Sequence, residues 1–185
     1  MQQSVFRSLL WSAAALTVGL IAIVLFAMYH SYVVPVEVRE KNKAMALAER
    51  EVSLRLNAKQ FSVMSFAAAM SRDPRIVEGL RSGDRLKALS GIQTVTADFA
   101  AISDFRSSRA QVILADGTIF ARSWDPEFHG ARAPHPLVPQ VIETRRVAAS
   151  FGVGNAGVGL IGFAPVMDHG ELLGVIAVTQ GLGSV

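Results

Sequence analysis

The residues best suited to chemistry lie close together at the end of one predicted strand and in the loop after it. They are Arg122, Ser123, Trp124, His129 and Arg132. An arginine guanidinium can hold a carboxylate through two parallel hydrogen bonds, and a nearby backbone N–H adds a third. A loop over a sheet face is a usual place for a small-ligand pocket. The cluster therefore predicts a small-ligand site with Arg122 as its polar anchor; the alternative is that Arg122 faces solvent beside Asp125 and Glu127.

Three apolar residues on later strands, Phe151, Ile161 and Phe163, are candidates for the walls of this pocket. Large apolar side chains on strands also build cores, and either role fits the sequence at these positions. The predicted ligand site therefore comprises eight residues: Arg122, Ser123, Trp124, His129, Arg132, Phe151, Ile161 and Phe163.

Other chemistries lack the residues that they need. His129 and His135 share one loop, but two histidines six apart without a third ligand at fixed spacing do not predict a metal. The absence of cysteine excludes thiolate zinc sites, thiol nucleophiles and disulfides, and no serine lies on a nucleophile-elbow motif. We predict no catalytic residue, no metal, no cofactor and no enzyme activity in this chain. The scattered basic residues also form no stripe suited to nucleic acid.

A glycine-rich stretch, residues 152–157, matches the G-x-G-x-x-G spacing of dinucleotide-binding sites. That motif requires a helix after the glycines, so that the helix N-terminus meets the pyrophosphate. Here the sequence from Val158 onward is glycine-broken and β-like. The glycines therefore indicate a turn between two strands.

The strands that must position the site follow from apolar runs and turn residues. Two apolar runs flank Asp168-His169-Gly170, and the dipeptide Asp116-Gly117 separates two shorter runs, so each set predicts a hairpin. The predicted strands are 110–115, 118–123, 148–153, 158–167 and 172–179. With helices before them, they predict an α+β fold with a five-stranded antiparallel sheet.

Helical periodicity precedes the strands. Residues 36–70 predict one long helix, with apolar positions recurring at threes, fours and sevens. That helix either packs on its own domain or continues from a membrane span and dimerises. Asp73-Pro74 begins a short helix over 76–80 that ends at Gly83, and Asp84 caps a third helix to about Ile102. A further short helix is predicted over 137–144.

An uncharged stretch, residues 8–29, is long enough to cross a bilayer, and Trp11, Tyr29 and Tyr32 suit an aromatic belt. The run exceeds a usual signal-peptide core and lacks a good cleavage site, so an uncleaved anchor is favoured over a signal peptide. The flanking charges lean against export of the C-terminal part. The predicted architecture instead favours a C-terminal part that lies outside the cytoplasm.

Two longer patterns, residues 116–130 (DGTIFARSWDPEFHG) and 152–178 (GVGNAGVGLIGFAPVMDHGELLGVIAV), resemble the single Cache, PAS-like sensor domains of bacterial chemoreceptors, histidine kinases and diguanylate cyclases. They resemble the branch of citrate and dicarboxylate sensors, and also a related chemoreceptor branch with a similar R-S-x-x-P-E-x-x-G pattern. The resemblance implies a ligand between the sheet and its covering loop and helix. Ser123 stands where the dicarboxylate sensors have histidine, and Ile161 and Phe163 stand where they have basic residues, which implies a more apolar pocket.

The expected organisation is a cytoplasmic N-terminus (1–7), a transmembrane helix (8–29), a juxtamembrane helix (36–70) and a PAS-like sensor domain (71–181). The expected partners are a small solute such as a carboxylate, a second copy of the chain bound through the long helix, and the bacterial inner membrane, which a single span crosses. The abrupt C-terminus without an output module favours a fragment of a receptor. The alternative is a membrane-tethered interaction or scaffold protein with a degenerate, ligand-free fold.

Overall fold

The computed structural model describes residues 16–103, 108–154 and 157–181. The chain divides into two compact units, Met1–Leu54 and Arg55–Val185. The helices are α1 (residues 16–28, as far as it is described), α2 (Val34–Met70), α3 (Pro74–Ser82), α4 (Arg85–Ile102) and α5 (Leu137–Thr144), with a π-helical segment at Tyr29–Val33. The strands are β1 (Arg109–Leu114), β2 (Ile119–Arg122), β3 (Ala148–Gly154), β4 (Gly157–Asp168) and β5 (Glu171–Gly181).

The first unit is helical wherever it is described. Among residues 16–103, 108–154 and 157–181, no helix combines the length and the apolar character needed to cross a membrane. Residues 8–15 of the predicted span lie outside the described residues.

The second unit contains a five-stranded sheet in the order β2-β1-β5-β4-β3, with every neighbouring pair antiparallel. The predicted α+β class and its antiparallel five-stranded sheet are therefore confirmed. β5 lies at the centre, and its residues from Gly174 to Val178 are all buried, as expected for a strand covered on both faces. The two-residue loop His169–Gly170 between β4 and β5 has positive φ at both positions, which is the backbone of a tight hairpin turn.

The sheet is covered on both sides. The face towards α2, α3 and α4, called here the helix-side face, carries the larger core, which includes Val63, Met70, Ile76, Val112 and Ile176. The opposite face, called here the loop-side face, packs against α5 through a smaller cluster: Ile113, Val138, Val141, Phe163, Val175 and Ala177. Alternation of side chains along each strand assigns residues to these two faces.

The predicted helix ends are confirmed with their capping residues. The Asp73 carboxylate accepts a hydrogen bond from the backbone N–H of Arg75 at 2.9 Å, and the guanidinium of Arg75 binds the same carboxylate at 2.8 Å. Gly83 ends α3 with a φ of 70°, a conformation that glycine adopts without steric cost. Asp84 then caps α4 by accepting from the N–H of Lys87.

Replacing Asp73 by alanine is expected to lower the free energy of unfolding by about 1 kcal/mol, because an N-cap is lost. The hydrogen bond from Arg75 is the main cause that holds the pKa of Asp73 below its ordinary 3.8. The carboxylate therefore stabilises the fold above pH 3.8, and that contribution is lost as the pH falls through the lower, folded pKa. Urea unfolding between about pH 2.5 and 7 measures both effects.

The matched control is Asp73→Asn, since asparagine caps a helix as well as aspartate does but cannot ionise. We expect this variant to retain most of the stability at neutral pH. The part of the pH dependence of the free energy of unfolding that comes from the Asp73 carboxylate should be absent. An unchanged acid profile in both variants would contradict the role assigned to the Asp73 carboxylate.

Candidate functional site

Half-buried side chains form a band on the loop-side face, beside the part that α5 covers. In register across the sheet, Arg109 of β1 pairs with Thr179 of β5, Thr179 with Ile161 of β4, and Ile161 with Ser150 of β3. In the next row, Arg122 of β2 pairs with Gln111 of β1. The candidate site is this band of half-buried residues: Gln111, Arg122, Ser150, Ile161 and Thr179.

Arg122 is the charged member of the band. Its Nε donates to Oε1 of Gln111 at 3.2 Å, and its guanidinium carbon lies 3.9 Å from the ring centroid of Phe128 and 5.3 Å from that of Trp124. Burial lowers the pKa of Arg122, and the nearby charge of Asp125 partly opposes this. An arginine remains charged in any case, so the site presents a partly desolvated cation between two aromatic rings.

A second arginine extends this positive end of the site. The guanidinium carbon of Arg109 lies 5.9 Å from the ring centroid of Trp124, within the range of a cation–π contact. The guanidinium groups of Arg109 and Arg122 thus both lie beside the ring of Trp124, and 41% of the Trp124 surface stays exposed. This end of the loop-side face can attract an anion and offer an aromatic surface to it.

The loop from 123 to 136 begins beside β2, at one edge of the sheet, and reaches β3 at the opposite edge. Its residues 130–132 run along the outer edge of β2, where Ile119 N–H donates to Ala131 O and Gly130 N–H to Ile119 O, each at 2.8 Å. Arg85 at the start of α4 donates to the carbonyl of Pro126. Farther along, His135 contacts β3 and β4, with its ring centroid 4.6 Å from that of Phe163. The loop is therefore attached at several points around the band.

The structure brings only part of the predicted site together. Arg122 and Trp124 are in contact, and Ile161 lies on the same loop-side face. Phe163 also lies on that face but is fully buried in the cluster under α5, so it has the core role that the sequence allowed as the alternative.

The other four predicted residues lie outside the band. The Ser123 hydroxyl accepts from the backbone N–H of Ala110 at 3.0 Å, so it completes the pairing of β2 with β1. Phe151 pairs with Leu160 of the helix-side face and is 54% exposed on the edge strand β3. His129 is exposed in the loop, and Arg132 is exposed beyond β2, bridged to Thr118. Although Ser123, His129 and Arg132 are close to Arg122 in sequence, they do not join the band.

Sequence reasoning missed the polar floor of the band, which consists of Gln111, Ser150 and Thr179, and also the contacts of Phe128 and His135. A signal for Gln111 was present, because the sequence Arg109-Ala110-Gln111-Val112 alternates polar and apolar residues. Ser150 and Thr179 give no such signal alone, since they join the band only through the strand register.

The glycine-rich stretch is part of the hairpin formed by β3 and β4. Gly152 pairs with Gly159, and Gly154 with Gly157, so strands stand on both sides of it and a helix N-terminus does not follow. This is the interpretation that the sequence favoured over a dinucleotide site. Residues 155 and 156 of the predicted turn lie outside the described residues.

A metal site and a second groove are the alternatives to this band. Within the described ranges, no group of three or more histidine, aspartate or glutamate side chains is placed to hold a metal ion. An open apolar groove of about 610 Å³ lies on the helix side between α2 and α4, lined by residues that include Phe61, Phe66, Val95, Phe99 and Ile102. Its charged lining residue is the carboxylate Asp98, whereas the loop-side face has arginines.

Solved sensor domains share this architecture. The sensor domain of the V. cholerae histidine kinase DctB matches with a TM-score of 0.52 at 21% identity, over 77% of this chain and 58% of that domain. A domain of a putative sensory box/GGDEF family protein from Vibrio parahaemolyticus matches with a TM-score of 0.52 at 9% identity, over 74% and 59%. An extracellular ligand binding receptor from Desulfohalobium retbaense gives 0.51 at 21% identity, over 73% and 24%. At these identities the likeness concerns the fold.

The chain spans less than two thirds of each of these solved structures. No curated protein matches it significantly. A family profile described as the double sensory domain of two-component sensor kinases matches residues 42–185, while the described residues contain one five-stranded sheet. The predicted resemblance to Cache sensor domains is confirmed: this chain belongs to the dCache_3 family of sensory domains of two-component sensor kinases.

Proposed function

We propose that this sensory domain binds a small anionic solute on its loop-side face, outside the cytoplasm, and transmits the occupied state through its N-terminal helix. The observation that carries the proposal is the partly desolvated guanidinium of Arg122, which lies over the rings of Phe128 and Trp124 and donates to Gln111. A cation held in this way costs desolvation free energy, which a bound anion recovers.

The chemistry of the band favours a solute with both polar and apolar parts. Arg122 and Arg109 provide the positive end, whereas Gln111, Ser150 and Thr179 provide neutral hydrogen-bonding groups. Ile161 adds apolar surface between Thr179 and Ser150. Neighbouring strands lie about 4.8 Å apart, so a small carboxylate or amino acid held by the two arginines reaches Gln111 and Thr179 on the adjacent strands, whereas Ser150 lies at the opposite edge of the sheet.

Isothermal titration calorimetry of the purified full chain against a panel of small carboxylates and amino acids tests this proposal. We expect at least one saturable binder whose affinity depends on Arg122. No binder across the panel, together with a stable protein partner recovered by pull-down, would favour the membrane-tethered interaction protein instead.

We also propose that residues 8–29 anchor the chain in the bacterial inner membrane with the sensor domain in the periplasm. The length and apolar character of that run support the anchor, and the similar D. retbaense protein is an extracellular receptor. Attachment of a membrane-impermeant thiol reagent to a single cysteine introduced at exposed Glu171 tests the topology, since the chain has no cysteine of its own. Labelling only after the inner membrane is broken would overturn it.

Exposed apolar residues on α2 support the proposal that the domain dimerises through this helix. Met45 and Val52 lie seven residues apart and are 67% and 56% exposed, the spacing of a helix seam between two copies. The later apolar positions of the same helix do not continue this seam, because Val63, Phe66 and Met70 are buried in the domain's own core.

Substitution of Val52 by cysteine is expected to give a disulfide-linked dimer on mild oxidation, because the same residue of two copies meets across a parallel helix pair. Arg50→Cys is the matched control, since that exposed position lies about 160° around the helix from Val52. Equal cross-linking at both positions, measured on non-reducing gels, would argue for random collision.

A further inference from the structure

His135 connects the loop to the sheet through both nitrogens of its ring. Its Nδ1 accepts a hydrogen bond from the backbone N–H of Leu137 at 3.2 Å, and its Nε2 lies 3.0 Å from the Ser150 hydroxyl. Leu137 is the first residue of α5, whose N-cap position, Pro136, has no capping hydrogen bond from its own side chain. The imidazole therefore supplies the first turn of α5 with a partner for one of its N–H groups, as a capping side chain does.

These contacts determine the protonation state of the ring. A backbone N–H can only donate, so Nδ1 must keep its lone pair, and the proton of the neutral imidazole lies on Nε2. Nε2–H then donates to the Ser150 hydroxyl oxygen. A second proton on Nδ1 would face the N–H of Leu137, and the contact at the start of α5 would be lost.

The surroundings of the ring disfavour a charge. The imidazole is half-buried and tilted against Phe163, and burial is the only cause that lowers its pKa from the ordinary 6.5. β3 has no ionisable residue, β4 has Asp168 at its far end, and α5 has Glu143 in its last turn. The ionisable residues of the loop itself are Asp125, Glu127, His129 and Arg132, and none of them contributes to this pKa shift.

We propose that His135 is a pH-sensitive latch: in its neutral form it holds the loop and the start of α5 against β3, and a second proton releases them. The contact between His135 and Ser150 lies at the β3 end of the band, next to Ile161. The effect of the latch on solute binding rests on the proposed function, whereas the latch itself is a property of the unliganded domain.

The direction of the pH effect follows from the lowered pKa. Because the folded pKa lies below 6.5, the neutral latch contributes its full stabilisation above pH 6.5, and this contribution is lost as the pH falls through the folded pKa. Acidification therefore opens the latch, and return to neutral pH closes it.

The test is NMR of the full chain with ¹⁵N-labelled histidine and backbone amides, without any solute. At about pH 7.5, above the ordinary histidine pKa, we expect the Nε2–H tautomer for His135. As the pH falls, we expect the ring to titrate below 6.5 and the exchange protection of the Leu137 amide to drop about fivefold, as the loss of one neutral hydrogen bond implies.

Two variants distinguish the protonation of His135 from other effects of low pH on the domain. In His135→Asn the side-chain oxygen can accept from the Leu137 N–H but cannot titrate, so the protection of Leu137 should no longer depend on pH. His129→Asn, which changes an exposed histidine of the same loop, should leave the pH dependence as in the wild type.

An Nδ1–H tautomer in the wild type would overturn the proposal, and this observation does not depend on whether any variant folds. The same pH dependence in His135→Asn and the wild type would overturn it as well. Since no solute is used, a failed ligand screen leaves these outcomes unaffected and counts against the proposed function alone.

Discussion

Replacing Arg122 by alanine is expected to weaken the binding of a small anionic solute by about 10- to 100-fold. A hydrogen bond to a charged group contributes about 1.5–3 kcal/mol, and each 1.4 kcal/mol corresponds to a factor of about ten in affinity. Arg122 is already oriented by Gln111, Phe128 and Trp124, so little rotamer entropy is lost when the solute binds. Titration calorimetry with the binder found in the screen measures the loss.

Two further variants make the result specific. Arg122→Lys retains the charge but loses the planar group that stacks and forms paired hydrogen bonds, so we expect most of the affinity to be lost here too. Arg146→Ala removes an exposed arginine outside the band and is expected to leave the affinity unchanged. Equal losses in Arg122→Ala and Arg146→Ala would show that net charge, rather than this site, attracts the solute.

Replacing Gly162 by alanine is expected to lower the free energy of unfolding by about 3 kcal/mol, the upper end of the usual cost of overpacking. A Cβ at this position would lie 2.5 Å from the carbonyl oxygen of Val63 and 2.7 Å from its carbonyl carbon. Both atoms belong to the backbone of α2, so the helix itself must move away from β4. Urea denaturation followed by far-UV circular dichroism measures the change.

The matched control is Ser90→Ala, because Ser90 is exposed on α4 in the same unit and alanine is the better helix former. We expect this variant to unfold at the same urea concentration as the wild type or at a higher one. A loss below about 0.5 kcal/mol in Gly162→Ala, the ordinary range of surface changes, would show that α2 is not held tightly on the sheet. It would also remove one route by which the sheet can act on that helix.

The local pattern was sufficient for the elements and their type. Apolar runs broken by Asp116-Gly117 and Asp168-His169-Gly170 predicted both hairpins, because only residues that tolerate positive φ permit such tight turns. Asp73, Gly83 and Asp84 predicted the ends of α3 and the start of α4, because capping depends on neighbours within about three residues. The predicted boundaries agree with the structure to within three residues at the strands and short helices, and the long helix begins two residues earlier than expected.

The candidate site was harder to predict because its members come from five different strands and a loop. Ser123 follows Arg122 directly, yet its hydroxyl bonds to Ala110 across the strand pair. Phe151 lies one residue from Ser150 and therefore points to the opposite face.

The sequence alone thus determined which segments are helices and strands, since these depend on local periodicity and residue type, and it singled out Arg122 as the predicted polar anchor. Only the tertiary structure decided which polar residues share a face with Arg122. The order β2-β1-β5-β4-β3 and the register of each pair place Gln111, Thr179 and Ser150 on one surface. Pairing between distant strands depends on how both sheet faces are buried, and a shift of one residue would turn all these side chains to the other face.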